Sequence, residues 1–226
     1  MVCVSRDTEG VLMDDCTPGQ CTARRLHVGA VVLAAGAGSR LGFKPKGLIC
    51  VNGEPLLRRQ LRMLSEAGAD ELVVVLGHYR EHLMPLLADY DVTAVVQPED
   101  AHSQAASLKL GVAALSESVD AALVVPVDMP ALEVQDLIAL IGAYKHAESH
   151  IEFVGPRVNG QPGNPVLLSR AAVAQVSRGE GEFGSGQWRH REASWALNWI
   201  TDNLHYLIDI DTPDHLRHWA DGPSGS

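Results

Sequence analysis

Five short and almost uninterrupted apolar runs punctuate the chain: Val28-Gly29-Ala30-Val31-Val32-Leu33, Leu72 to Leu76, Val92 to Val96, Ala121 to Val125 and Ile151 to Val154. Runs this short, apolar at successive positions and not only at alternate ones, are the pattern of strands covered on both faces, as in a parallel sheet. Segments of helical period lie between them and place helices over residues 55–67, 79–88, 104–115 and 133–147, with Ser103 positioned to cap the third. Strands alternating with helices predict an α/β domain on a mostly parallel sheet.

Beyond residue 155 the pattern changes. Asn159-Gly160, Pro162-Gly163 and Asn164-Pro165 are turn dipeptides, and residues 179–186 are rich in glycine, so an irregular region is expected there. Order returns with His205 to Ile210, read as a strand, and Thr212 is placed to cap a final helix through Leu216 and Trp219 with Pro213 in its first turn. Residues 1–27 mix Asp7, Asp14, Asp15, Arg24 and Arg25 with scattered apolar positions and no sustained period, which predicts a poorly ordered or loosely docked extension. The expected organisation is an extension over 1–27, one domain over 28–220 and a tail over 221–226, without internal repeats.

Composition narrows the function. The 226 residues are 46% hydrophobic and 20% charged, ordinary globular usage for one domain with a substantial core. A formal charge of −10 disfavours nucleic acid and anionic membranes as partners, because both are polyanions. With no apolar run of roughly 20 residues and no apolar core of a secretory signal near the start, the cytoplasm is the expected compartment. Cys3, Cys16, Cys21 and Cys50 form no CxxC pair, so reduced thiols are expected in place of a zinc site or a disulfide framework.

Against that acidic background one segment stands apart: Leu33-Ala34-Ala35-Gly36-Ala37-Gly38-Ser39-Arg40-Leu41-Gly42-Phe43-Lys44-Pro45-Lys46, a long glycine-rich and basic loop after the first strand. Glycines let backbone N–H groups approach phosphate oxygens, and Arg40, Lys44 and Lys46 supply charge, so the loop has the makings of a triphosphate cradle. It lacks the GK[ST] ending of a Walker A loop, and Lys and Pro interrupt the Rossmann spacing. A plain strand-to-helix turn with solvated lysines is the alternative. Two further places carry carboxylates. Asp128 ends the apolar run Val124-Val125-Pro126-Val127, where open α/β sheets hold their ligand chemistry, although capping the following helix would also suit it. Asp209 and Asp211 lie two apart and share a face if their segment is a regular strand.

Leu-Ala-Ala-Gly-x-Gly-x-Arg-x-Gly followed by Pro-Lys resembles the signature loop of the nucleotidyltransferases that make molybdenum cofactor dinucleotides, with molybdenum cofactor cytidylyltransferase the most similar type. The resemblance continues in order through Glu54-Pro55-Leu56-Leu57, Ser107-Leu108, Asp128-Met129-Pro130, Gly163-Asn164-Pro165-Val166 and Asp209-Ile210-Asp211-Thr212-Pro213, across residues 28–218. It implies a single Rossmann-like, doubly wound domain of the nucleotide-diphospho-sugar transferase type. It implies that Leu33, Ala34, Ala35, Gly36, Gly38, Arg40, Gly42, Lys46, Ser107 and Asp128 contact the nucleotide. Lys46, with Arg40, would stabilise charge on the reacting phosphates, and Asp128 and Asp211 would ligate Mg²⁺. Ser107 is equally readable as a surface serine at a helix start. Lys44 is readable as a helper or a solvated bystander, and Asp209 as a local hydrogen-bonding group. Ala34-Ala35-Gly36 resembles the cytidylyl branch; the guanylyl branch has Leu-Ala-Gly-Gly.

Departures from the family pattern are Val127 where Gly commonly precedes the Asp, Asn164 where His is usual, and Gly181-Glu182-Phe183-Gly184-Ser185-Gly186 in place of Gly-Asp-x-Gly-Ala-Arg, with Arg189 or Arg191 as substitutes for the arginine. The function implied is transfer of CMP from CTP to the terminal phosphate of the molybdopterin cofactor, with a molybdoenzyme or its insertion chaperone as partner. The rivals are the same transfer to a sugar phosphate, alcohol phosphate or phosphonate, and a non-catalytic protein that binds nucleotide and delivers cofactor. Residues 155–195, on the acceptor side, would separate the first two.

Overall fold

The computed structural model describes residues 25–98, 103–180 and 194–220. In chain order its elements are β1 (Val28–Ala34), β2 (Cys50–Val51), β3 (Glu54–Pro55), α1 (Leu56–Glu66), β4 (Glu71–Leu76), α2 (Arg80–Leu83), β5 (Thr93–Val96), α3 (Gln104–Ala113), β6 (Ala121–Pro126), α4 (Val134–Lys145), β7 (Phe153–Val158), β8 (Gln161–Pro162), β9 (Val166–Ser169), α5 (Arg170–Arg178), β10 (Ala196–Thr201) and α6 (Pro213–Ala220). The main sheet runs β10-β7-β9-β6-β1-β4-β5, with β8 hairpinned onto β7. β1 pairs in parallel with both β4 and β6, and β4 with β5. β9 alone inserts antiparallel between β6 and β7.

Central position explains why β1 is apolar throughout. Val28, Ala30, Val32 and Ala34 join the core shared with Leu57, Leu61 and Leu64 of α1 and Leu137 and Leu140 of α4. Val31 points the other way, into a layer with Leu108 and Val112 of α3 and Ala172 and Val176 of α5. Successive side chains of one strand thus fill two cores, the burial on both faces predicted from the runs and the doubly wound arrangement implied by the resemblance. Ser103 caps α3, its Oγ accepting from Ala106 N at 3.1 Å, and Thr212 Oγ1 accepts from His215 N at 3.3 Å at the head of α6.

Three expectations need correction. His205 to Ile210 is not a strand: Leu204–Leu207 form a single 3₁₀ turn, and the chain then runs extended without ladder partners to Asp211. Residues 155–178 are not irregular, because the turn dipeptides link β7 to β8 and lead into β9, which Ser169 closes by capping α5. Residues 79–88 are only one turn of α-helix followed by a 3₁₀ turn, Met84–Leu87, with Pro85 at its start. The first and third errors arise because short stretches carry too few residues to distinguish their period, and the second because turn dipeptides were read as irregular chain when they join short strands whose partners are distant in sequence.

Candidate active site

Parallel strands β1, β4, β5 and β6 release their C-terminal ends on one side of the sheet, and the loops that follow them surround a cleft of about 970 Å³. The first wall is the glycine loop. Its tip folds back on Gly38, whose carbonyl accepts from Leu41 N at 2.9 Å and Phe43 N at 3.0 Å. Gly38 has φ 61°, and a Cβ there would lie 2.2 Å from the Lys44 carbonyl oxygen, so no side chain fits without reshaping the tip. Leu41 is buried with Val51, Leu56 and Ile210 and anchors the tip. The loop ends in a 3₁₀ turn that starts at Lys46.

Asp128 follows β6, and the backbone on either side of it is fixed: Val127 N donates to Leu33 O at 3.2 Å, and the Asp128 carbonyl accepts from Ile210 N at 2.9 Å. That second bond draws the Asp209–Asp211 segment across the sheet to the cleft. The segment is held from behind by Asp136 of α4, whose carboxylate accepts from Asn203 Nδ2 at 2.6 Å and lies 2.9 Å from His205 Nδ1, while buried Tyr206 donates its hydroxyl to the Asp136 carbonyl at 2.8 Å. Val127, where a glycine was expected by resemblance, is buried in the main core with Leu83 and Met129.

At the meeting point Lys46 Nζ donates to Asp128 Oδ2 at 2.5 Å and to Asp211 Oδ1 at 2.6 Å. Arg40 Nη1 donates to Asp211 Oδ2 at 2.7 Å. Lys46 and Asp128 are only 17% and 16% exposed, whereas Arg40 is 76% exposed, so solvent screens the outer pair far more than the inner one. Burial works against the Lys46 charge, yet Asp128 and Asp211 more than offset it and its pKa stands above 10.5. The hydrogen bond from Lys46 leads the causes that hold the Asp211 carboxyl below 3.8, and Arg40 adds to it. Asp209 goes the other way: burial, then the charges of Asp211 and Asp128, raise it above 3.8.

Leu33, Ala34, Ala35, Gly36, Gly38, Arg40, Lys46, Ser107, Asp128 and Asp211 all line this one cleft, although they come from four separated stretches of sequence. Gly42 and Lys44 do not; Gly42 instead closes the turn behind Arg40 with φ 68°. Between the two acidic candidates the structure brings Asp211, not Asp209, into contact with Lys46. Ser107 is buried in the wall, its hydroxyl donating to Gln97 Oε1 at 2.9 Å. Sequence reasoning missed Gln97 and the Gly77–Leu83 turn, which form the facing wall. Both directly follow strands at the ligand end of the sheet, and that position was the available signal. Cys3, Cys16, Cys21, residues 181–186, Arg189 and Arg191 lie outside the described residues. Among the described residues no helix is long and apolar enough to cross a membrane.

Comparison with known proteins adds a family to this geometry. The model of the MobA-like NTP transferase domain matches residues 30–195, well over half of the chain. The bifunctional IPC transferase and DIPP synthase of Thermococcus kodakarensis is 38% identical over 87 residues, which is 36% of this chain and 19% of that protein. The CMP-5'-(3-aminopropyl)phosphonate synthase of Streptomyces rubellomurinus is 44% identical over 86 residues, 34% of this chain and 14% of that protein. The matched stretch therefore spans less than a fifth of either relative. Among solved structures, Rv0371c from Mycobacterium tuberculosis H37Rv superposes with a TM-score of 0.71 at 24% identity, covering 85% of this chain and 96% of that one. A complex of the same protein with manganese gives 0.67 at 23% identity, covering 86% and 98%.

Proposed function

The chain belongs to the MobA-like NTP transferase family, and from that premise we propose that it is a magnesium-dependent cytidylyltransferase that moves CMP from CTP onto the terminal phosphate of the molybdopterin cofactor and releases pyrophosphate. One observation carries the reading: Lys46, Asp128 and Asp211 converge within 2.6 Å contacts at the end of the glycine loop, on the ligand side of a mostly parallel sheet.

Mg²⁺ fits the residues present. Asp128 and Asp211 already converge on one cation, and carboxylate oxygens are the hard ligands the ion prefers. Among the described residues no group of three or more His, Cys, Asp or Glu side chains is gathered for a metal, so substrate phosphates and water would complete the shell, as is usual for this ion. Bound there, the ion would neutralise charge on the donor phosphates and the departing pyrophosphate. The manganese complex of the Mycobacterium tuberculosis neighbour supports a divalent ion in this fold.

The chain's own part is positioning and charge. Backbone N–H groups between Ala35 and Gly38 cradle the triphosphate, while Arg40 and Lys46 stabilise the negative charge that grows on the transferring group. An oxygen of the acceptor phosphate attacks the α-phosphorus in line as the bond to the α–β bridging oxygen breaks, so no protein nucleophile is required. CTP as donor is supported by Ala34-Ala35-Gly36 and by the CMP-transferring relative; molybdopterin as acceptor is supported by the ordered motifs from residue 33 to residue 213. Residues 28–220 act as one catalytic unit in the cytoplasm, with a molybdoenzyme or its insertion chaperone receiving the product.

A second reading keeps the donor half and changes the acceptor to a phosphonate or an alcohol or sugar phosphate; the 44% identity to a phosphonate synthase favours it specifically. Pyrophosphate release, measured with Mg²⁺ and each of CTP, GTP, ATP and UTP against molybdopterin and a panel of phosphonates and phosphates, decides between them. Release with CTP and molybdopterin alone is expected. Release only with another acceptor establishes the second reading, and CTP binding without release under any acceptor overturns both in favour of a non-catalytic delivery protein.

A further inference from the structure

The glycine loop is tied to itself more than to the sheet. Between Gly36 and Lys44 its backbone hydrogen bonds close on Gly38 and Ser39, within the tip. Buried Leu41 anchors the apex, but the arms on either side of it need a further tie to keep the spacing a polyphosphate needs. The facing turn, Gly77 to Tyr79, does so at three places. Tyr79 carries its hydroxyl between the arms, 3.2 Å from the Ala37 carbonyl oxygen before the tip and in closer contact with the Phe43 carbonyl oxygen after it. The backbone of the turn leans on the start of the loop: His78 N lies 3.5 Å from Ala35 O, and a Cβ on Gly77 would meet that same oxygen at 2.6 Å. The phenol ring is itself braced edge-on by His78 and His82, with centroids 4.7 and 6.3 Å away.

We propose that Tyr79 is the positioning residue of the glycine loop: its hydroxyl bridges the Ala37 and Phe43 carbonyls and keeps the loop preformed for a nucleoside triphosphate. The inference rests on the reading of that loop as the triphosphate cradle. A phenol has one proton, so at any instant it donates to one of the two carbonyls. Either bond restrains the same loop, and exchange between them keeps both arms within reach. Phe43, beside the second carbonyl, holds φ 58°, a left-handed conformation that a residue with a side chain would leave readily if untethered. Ordering such a segment only on binding would cost affinity, and a tether present beforehand removes that cost. Tyr79 makes no hydrogen bond to Lys46, Asp128 or Asp211, so it acts through the loop and not on the reacting atoms.

Hydrogen exchange of the nucleotide-free protein, paired with CTP titration and steady-state kinetics, tests this with Tyr79→Phe, which keeps the ring and removes only the hydroxyl. Amides from residue 37 to residue 44 should exchange at least about threefold faster, while those of β1 and β6 stay unchanged. Kd and KM for CTP should rise about threefold to tenfold, the factor for one ordinary hydrogen bond, with kcat within about twofold. Gly77→Ala, which pushes the turn off Ala35, should loosen the same amides and carries the test should the first variant fail to fold. Loop exchange identical to wild type, or a loss of kcat at constant KM, overturns the proposal. Faster loop exchange in a protein whose wild type binds no nucleoside triphosphate upholds the tether and overturns the reading of the loop as a cradle.

Discussion

Replacing Lys46 with methionine removes the one ammonium that Asp128 and Asp211 share and keeps most of the side-chain volume. Stripping one partner from a buried ion pair typically costs about 3–5 kcal/mol, because the other charge is left uncompensated. Here Lys46 and Asp128 are 17% and 16% exposed, but Asp211 is 30% exposed and keeps Arg40 at 2.7 Å. Partial solvation and the remaining cation lower the expected cost to about 2–3 kcal/mol, a drop of about 5–10 °C in Tm for a chain of this size. Turnover should fall by about 10²- to 10³-fold, the range for losing a group that stabilises transition-state charge. Manganese then separates this explanation from a mere packing defect. At about 100 times its Kd, a ligand of the folded state contributes about 2.7 kcal/mol, enough to restore the variant's melt. In the nucleotide-free wild type the same ion must displace the ammonium, so the shift there should be smaller. Thermal melts with and without Mn²⁺, alongside pyrophosphate release, read all three effects. A variant that melts within about 1 °C of wild type without metal, or that keeps turnover within tenfold, would refute the reasoning.

Gly38→Ala should weaken CTP binding by at least about tenfold, because its Cβ would stand 2.2 Å from the Lys44 carbonyl oxygen at a φ that penalises any side chain; calorimetric titration reads the loss. The pH dependence of stability follows from the same cluster. Asp211, held below 3.8, contributes stability that is fully present above that value and is lost as pH falls through its lower folded pKa; Lys46, raised above 10.5, contributes below that value and loses it as pH climbs through its higher one. Asp209 has the opposite sign, its raised carboxyl costing stability once pH passes 3.8, so Asp209→Asn should raise Tm at pH 7 and leave it unchanged at pH 3; an equal shift at both would contradict the assignment.

The glycine loop was legible because its chemistry is local. Gly36, Gly38, Arg40 and Lys46 lie within eleven residues, and a cradle needs backbone approach and charge in one short stretch. Asp128 was legible because β6 ends there. The facing wall was not. Tyr79 and Gln97 sit in unremarkable sequence, and their relevance comes from the parallel pairing of β4 with β1 and β5, which delivers both strand ends to one cleft. Gly42 shows the converse: it belongs to the motif, yet the fold uses it to close a turn outside the cleft.

By itself the sequence determined the α/β plan on a mostly parallel sheet, since nearly continuous apolar runs such as Val28 to Leu33 and Ala121 to Val125 call for strands covered on both faces. It also determined which loop carries the positive charge in an acidic chain. Only the tertiary structure shows that Asp211, and not Asp209, reaches Lys46. Their segment looked like a strand, on which both would share a face; instead Tyr206, Ile210 and the Asp136 contacts pin it as an extended stretch, and Ile210 bonds to the Asp128 carbonyl. That pinning brings Asp211 to Lys46 across 165 residues of sequence, a contact no local pattern encodes because its partners are set by core packing.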